Sequence, residues 1–180
     1  HDITYAAVSG TLHALGTAAR PVAPVPVIGD FAGGSMYLVV GVLAALIARG
    51  TTGRGQVVDA AMVDGAAHLF TMVHGLLGAG AWRDEREANL LDGGAPFYAV
   101  YECADGRFVA VGALEPPFYA ELVAGLGVEV PGEQYDTDRW EEQRSVFTAA
   151  FLSRTRDAWA AHFEGTDACV APVLSLREAP

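Results

Sequence analysis

Lysine is missing altogether: the 180 residues carry 11 basic side chains, every one an arginine, against 22 acidic ones, for a formal net charge of -11. So acidic a balance, with no basic patch to interrupt it, argues against nucleic acid or an anionic membrane as a partner. Cysteine is scarce too. Cys103 and Cys169 form no Cys-x-x-Cys pair and have no histidine at ligand spacing, so neither a disulfide scaffold nor a metal site is expected, and a reducing cytoplasm fits best. No initiator Met is present, and no basic segment leads an apolar one in the manner of a signal peptide. Internal repeats and low-complexity tracts are absent as well. From His1 to its Glu-Ala-Pro end the chain reads as an internal piece of something longer. Long apolar runs are the exception to this scarcity. Phe31 to Ala48 and Gly65 to Trp82 approach membrane-spanning length, but both contain several glycines and the second holds His68 and His74. Buried helices are expected from them, not membrane insertion.

What is there centres on Val25-Pro-Val-Ile-Gly-Asp-Phe-Ala-Gly-Gly-Ser-Met-Tyr. Pro24, Pro26 and the β-branched Val25, Val27 and Ile28 favour an extended chain, and the uncharged run after Ser35 has helical length, predicting a helix from Ser35 to Arg49. Asp30 is thereby placed at a strand-to-helix junction, among glycines that let a ligand approach the backbone. Capping or turning the chain is the ordinary alternative for such an acid.

Upstream, His1 and Asp2 stand at the start of a helix-like stretch through Leu15, closed by Gly16 and a loop from Thr17 to Pro24. Downstream, Arg49-Gly-Thr-Thr-Gly-Arg-Gly-Gln56 lacks both the GK(S/T) ending and GxGxxG, and reads as a connecting turn into a long helical pattern ending near Gly78 or Gly80. Arg83 to Glu87 is a solvated charged run. The expected division is therefore a helical segment over 1–82, a linker over 83–96 and a small α+β domain over 97–180. Within the last, Phe97 to Cys103 and Phe108 to Ala113 flank Ala-Asp-Gly-Arg and predict a β-hairpin, which Val170 to Leu174 could extend. Helices are expected from Glu115-Pro-Pro to Leu126, from about Asp138 to Leu152, and behind a Thr155 cap to Phe163.

His1-Asp-Ile-Thr-Tyr5, Val27-Ile-Gly-Asp-Phe-Ala-Gly-Gly-Ser35, Thr52-Gly-Arg-Gly-Gln-Val-Val-Asp59, Asp92-Gly-Gly-Ala-Pro-Phe-Tyr98 and Tyr101-Glu-Cys-Ala-Asp-Gly106 together resemble the family III CoA-transferases, and among them the racemases of 2-methylacyl-CoA thioesters. The resemblance runs over essentially the whole chain. It implies an α/β to α+β fold: the helical part of the family's large domain, then a small α+β domain with a hairpin sheet. It also implies an interlocked homodimer, an acyl-CoA thioester as substrate with no cofactor required, and a place in fatty-acid and lipid metabolism. The CoA cradle of the family would precede His1, so little activity is expected of these residues alone.

By the same resemblance, His1 matches the catalytic histidine, Asp30 the catalytic aspartate and Glu115 the glutamate that hydrogen-bonds the histidine. Inverting a carbon beside a thioester needs one group to remove a proton and another, on the opposite face, to return it; a His/Asp pair meets that need. The Asp2 N–H is the candidate oxyanion donor, because a first-turn amide has no intrahelical partner. Leu91, Tyr98, Met62 and Met72 resemble residues that line the acyl-binding surface, although core packing is the simpler account of both methionines. His13, His68, His74 and His162 read as structural or exposed. Two rival functions stand beside the racemase: CoA transfer between acids with Asp30 as nucleophile, which needs no histidine at position 1, and a non-catalytic dimerisation module.

Overall fold

The computed structural model describes all residues from His1 to Pro180. They form two compact units, His1–Arg86 and Glu87–Pro180.

In the first unit, α1 (Asp2–Val8) is short because Ser9, Gly10 and Thr11 stop it: the Ser9 and Thr11 hydroxyls both donate to the Ala6 carbonyl, at 3.0 and 2.9 Å. The helix expected through Leu15 therefore ends about two turns earlier. A two-residue antiparallel ladder follows, β1 (Gly16–Thr17) on β2 (Arg20–Pro21). Arg86 braces it, donating from Nε to Thr17 O at 2.7 Å and from a terminal nitrogen to His13 O at 2.9 Å.

The expected strand-to-helix junction is replaced by something else. Val27–Met36 is a ten-residue π-helix that runs directly into α2 (Tyr37–Thr52). Asp30 accordingly lies inside a wide helical turn, and Val27 and Ile28 are helical, not extended. The Ser35 hydroxyl spans the wide turn, donating to Asp30 O at 2.7 Å.

Tertiary packing supplies the reason for the wide turn. A Cβ on Gly65, in α3 (Met62–Leu69), would lie 1.8 Å from Gly33 O, and one on Gly33 would lie 2.8 Å from Ala66 N. The two backbones touch where neither has a side chain. Val58, between α2 and α3, lies against α2, its Cγ1 2.6 Å from where a Gly41 Cβ would stand. The long helix expected to end near Gly78 is broken at Phe70 into α3 and α4 (Thr71–Gly78), the Thr71 hydroxyl donating back to His68 O.

Burial within α2 was expected and is not found: no residue of that helix is buried, and Leu38, Val40, Leu43 and Ile47 are among its exposed apolar side chains. Continuous with the π-helix, it makes one stretch, Val27–Thr52, long and apolar enough by length and composition to cross a membrane.

The second unit matches its pattern more closely. β3 (Tyr98–Glu102) and β4 (Phe108–Gly112) pair as an antiparallel hairpin, and β5 (Val170–Pro172) adds to β4. Gly106 has φ +72, the left-handed turn residue that the Asp-Gly dipeptide predicts. Around the sheet lie α5 (Pro116–Leu126), α6 (Trp140–Phe151) and α7 (Arg156–Phe163), the last capped by the Thr155 hydroxyl, which accepts from Ala158 N–H at 3.2 Å. Phe97, Tyr101, Val109, Leu122, Phe147, Phe151 and Trp159 fill the core. Two buried polar groups there are satisfied by carbonyls: Tyr101 O–H by Pro96 O at 2.5 Å, and Trp159 Nε1–H by Phe151 O at 2.9 Å.

Candidate active site

His1 is exposed at the N-cap of α1, whose first turn is closed by Thr4 and Tyr5 N–H donating to His1 O at 3.0 and 3.2 Å. The next residue, Asp2, is buried, with only 6% of its surface exposed. Its Oδ2 accepts the N–H of Gly29 at 2.6 Å and the N–H of Asp30 at 2.8 Å. Gly29 has no side chain where a Cβ would come within 3.2 Å of Asp2 Cα. The first turn of α1 and the Asp30 turn are thus held face to face by backbone-to-carboxylate bonds. Asp2 Oδ1 is buried without a partner. Asp30 itself is exposed, with its backbone N–H and C=O both engaged.

Sequence reasoning singled out Asp2 for its N–H only, and so passed over its carboxylate. A signal was available: between Ile3 and Gly29 the only charged side chain is Arg20, so an acid beside His1 had little to pair with except backbone N–H groups.

Glu115, Leu91 and Tyr98 lie in the second unit. Glu115 is the N-cap of α5, where its carbonyl accepts Tyr119 N–H at 3.0 Å, but its side chain makes no capping bond. The exposed carboxylate is not spent on the helix. Near it is Cys169, whose thiol is pushed up first by burial and then by the Glu115 charge, which leaves it a poor nucleophile. Leu91 is half-buried in a rigid turn: Asp92 accepts Asn89 N–H at 2.8 Å and Gly94 N–H at 3.0 Å, and Arg144 donates to Gly93 O and Gly94 O at 2.6 and 2.8 Å. Tyr98 opens β3, its ring 3.9 Å from where a Gly112 Cβ would stand.

Core packing describes Met62, half-buried with its Cγ 3.0 Å from a Cβ position on Gly34, but not Met72, which is 58% exposed. Three histidines have structural partners: His13 with Asp84 at 3.3 Å, His68 with the Tyr37 hydroxyl at 2.5 Å, and His162, whose Nε2–H donates to Gly125 O at 2.8 Å. No group of three or more His, Cys, Asp or Glu side chains is placed to hold a metal ion.

Chemically, the first unit presents an imidazole and a carboxylate on two segments tied by one buried acid. A family model described as CoA-transferase family III matches residues 1–180. The chain is 44% identical over 183 residues to a mouse protein and 45% identical over 182 residues to a human one, both named alpha-methylacyl-CoA racemase. Each match covers 99% of this chain but 48% and 47% of the relative, so the chain spans about half the length of the curated relatives it matches. Among solved structures, a CaiB/BaiF family protein from Brucella suis superposes with a TM-score of 0.70 at 21% identity, over 99% of this chain and 48% of that one, which supports the fold. The chain belongs to CoA-transferase family III.

Proposed function

We propose that the whole protein is a racemase that interconverts the two configurations at C2 of 2-methylacyl-CoA thioesters, working as an interlocked homodimer in cytoplasmic fatty-acid metabolism. The observation that carries this reading is the tie between the His1 turn and the Asp30 turn, which gives two proton carriers of different type one common frame. The 44 and 45% identity to proteins named as racemases supports it.

In this reading one of the two groups takes the C2 proton. The C–H electron pair moves into the C1–C2 bond and the carbonyl pair moves onto oxygen, giving an enolate to whose oxygen the Asp2 N–H donates a hydrogen bond. The other group then gives its proton to the opposite face of C2, and the carbonyl reforms. Substrate and product are isomers, so nothing is oxidised and no second substrate is consumed. The family resemblance assigns Glu115 the part of the glutamate that orients the catalytic histidine and raises its basicity.

Deuterium incorporation at C2, followed by chiral analysis from each pure enantiomer, tests this in the full-length protein. His1→Ala and Asp30→Asn should each lower racemisation by about two orders of magnitude or more, as expected for a positioned acid-base group, while acyl-CoA still binds. Glu115→Gln should be milder. Full racemisation by His1→Ala would sink the assignment. Transfer of radiolabelled CoA to an acceptor acid, with no exchange at C2, would instead make Asp30 a nucleophile. Neither activity would leave a dimerisation module.

A further inference from the structure

The Asp2 side chain has a task that the proton-transfer scheme leaves unassigned. We propose that its carboxylate is a positioning residue for Asp30, and this rests on the racemase reading of His1 and Asp30. Three observations carry it. Asp2 is buried, and Oδ2 alone receives two backbone N–H groups, those of Gly29 and Asp30 at 2.6 and 2.8 Å. Residue 29 is a glycine at the point where a side chain would run into Asp2, so the backbone comes close enough for both bonds. The turn that bears Asp30 is a π-helix, whose early N–H groups, like those of any helix start, lack partners of their own.

The carboxylate therefore supplies acceptors that the wide turn cannot supply for itself, and it does so from the residue bonded directly to His1. Moving Asp2 moves both proton carriers together; removing it frees Asp30 from His1. Charge-assisted bonds to a buried acid are the stronger kind, which suits a group that must hold a reacting carboxylate in place. Oδ1 accepts nothing, so the whole clamp rests on one oxygen.

Asp2→Ala and Asp2→Asn in the full-length protein separate this role from a general one. Asparagine keeps a carbonyl oxygen where Oδ2 stands; alanine does not. For Asp2→Ala, kcat for racemisation should fall about tenfold or more with KM changed by less than about threefold. Deuterium exchange with retention should fall mainly for the enantiomer whose proton Asp30 removes, identified as the one silenced by Asp30→Asn. Asp2→Asn should recover most of the rate.

Wild-type kcat in a folded Asp2→Ala overturns the proposal. So does an equal loss for both enantiomers, which is what a loosened α1 alone would cause, and so does an Asp2→Asn variant as impaired as the alanine one. If Asp2→Ala does not fold, Asp2→Ser, too short to reach both amides, is read by the same criteria. Should the wild-type protein transfer CoA and exchange no C2 proton, the racemase reading fails by itself. The clamp is then judged on the nucleophilic rate of Asp30, which Asp2→Ala must still lower and Asp2→Asn must largely keep.

Discussion

Two glycines show how much a single missing side chain can decide. Gly65 and Gly33 meet backbone to backbone, and a methyl group on Gly65 would stand 1.8 Å from a carbonyl oxygen that cannot step aside without moving the π-helix. Gly65→Ala should cost about 1–3 kcal/mol or more in a denaturant melt of the full-length protein, through strain of the overpacked kind. Gly75, in α4, has nothing within 4 Å of its Cβ position. There Gly→Ala should be neutral or stabilising by up to about 1 kcal/mol, since it only narrows the unfolded ensemble and improves helix propensity. The two results must differ in sign or clearly in size. In the sequence both are merely glycines within apolar helical runs; which one is pressed against another backbone is a property of the packed pair.

Elements whose signals are local came out as read. The hairpin of β3 and β4 is written in alternating aromatic and β-branched residues around Asp-Gly, and α7 in its Thr155 cap, because turn chemistry and capping act over a few residues. Phe151 and Trp159 then join these elements: Phe151 stacks on Tyr101 at 5.0 Å between ring centroids and meets Trp159 edge-on at 5.3 Å. Phe151→Ala should lower unfolding stability by about 3–5 kcal/mol, whereas Thr155→Ala, which loses one cap, should cost about 1 kcal/mol. Chemical denaturation of the two variants side by side checks the ranking. Where the elements departed from their patterns, long-range contacts were responsible. α1 is the exception, ended by a local hydroxyl-capped turn, whereas Asp30 sits in a π-helix held by the Asp2 carboxylate and pressed against Gly65.

Across the molecule, charge and apolar surface make separate demands. Arg156, buried in the second unit, donates to Glu178 at 3.0 and 2.8 Å and to Val173 O at 3.0 Å, which fastens the last residues to α7. Those bonds hold the Glu178 carboxyl well below the usual carboxylate range, the Ser175 N–H adding to the effect. A folded pKa below the unfolded value of about 4.3 means that the latch is fully present above that pH and is lost as pH falls through the folded value. Glu178→Gln should therefore flatten the acid limb of the stability curve and expose the segment after Val173 to faster amide exchange at neutral pH, both readable by hydrogen exchange. In the first unit α2 turns Leu43 and Ile47 outward at 55 and 75% exposure, an apolar face suited to association with a second copy. Light scattering at micromolar concentration should show a dimer or larger species that Leu43→Glu with Ile47→Glu shifts toward monomer. A monomeric wild type would overturn that expectation. The sequence by itself determined the acidic balance, the hairpin unit with its caps and the motifs that carry the family, because each depends on composition or on neighbours along the chain. Only the tertiary structure decided that Asp30 lies in a π-helical turn, that its N–H is held by the acid next to His1, and that the long apolar helix α2 keeps no residue buried. Those outcomes depend on which distant backbone arrives to fill, or to leave open, the space beside each residue.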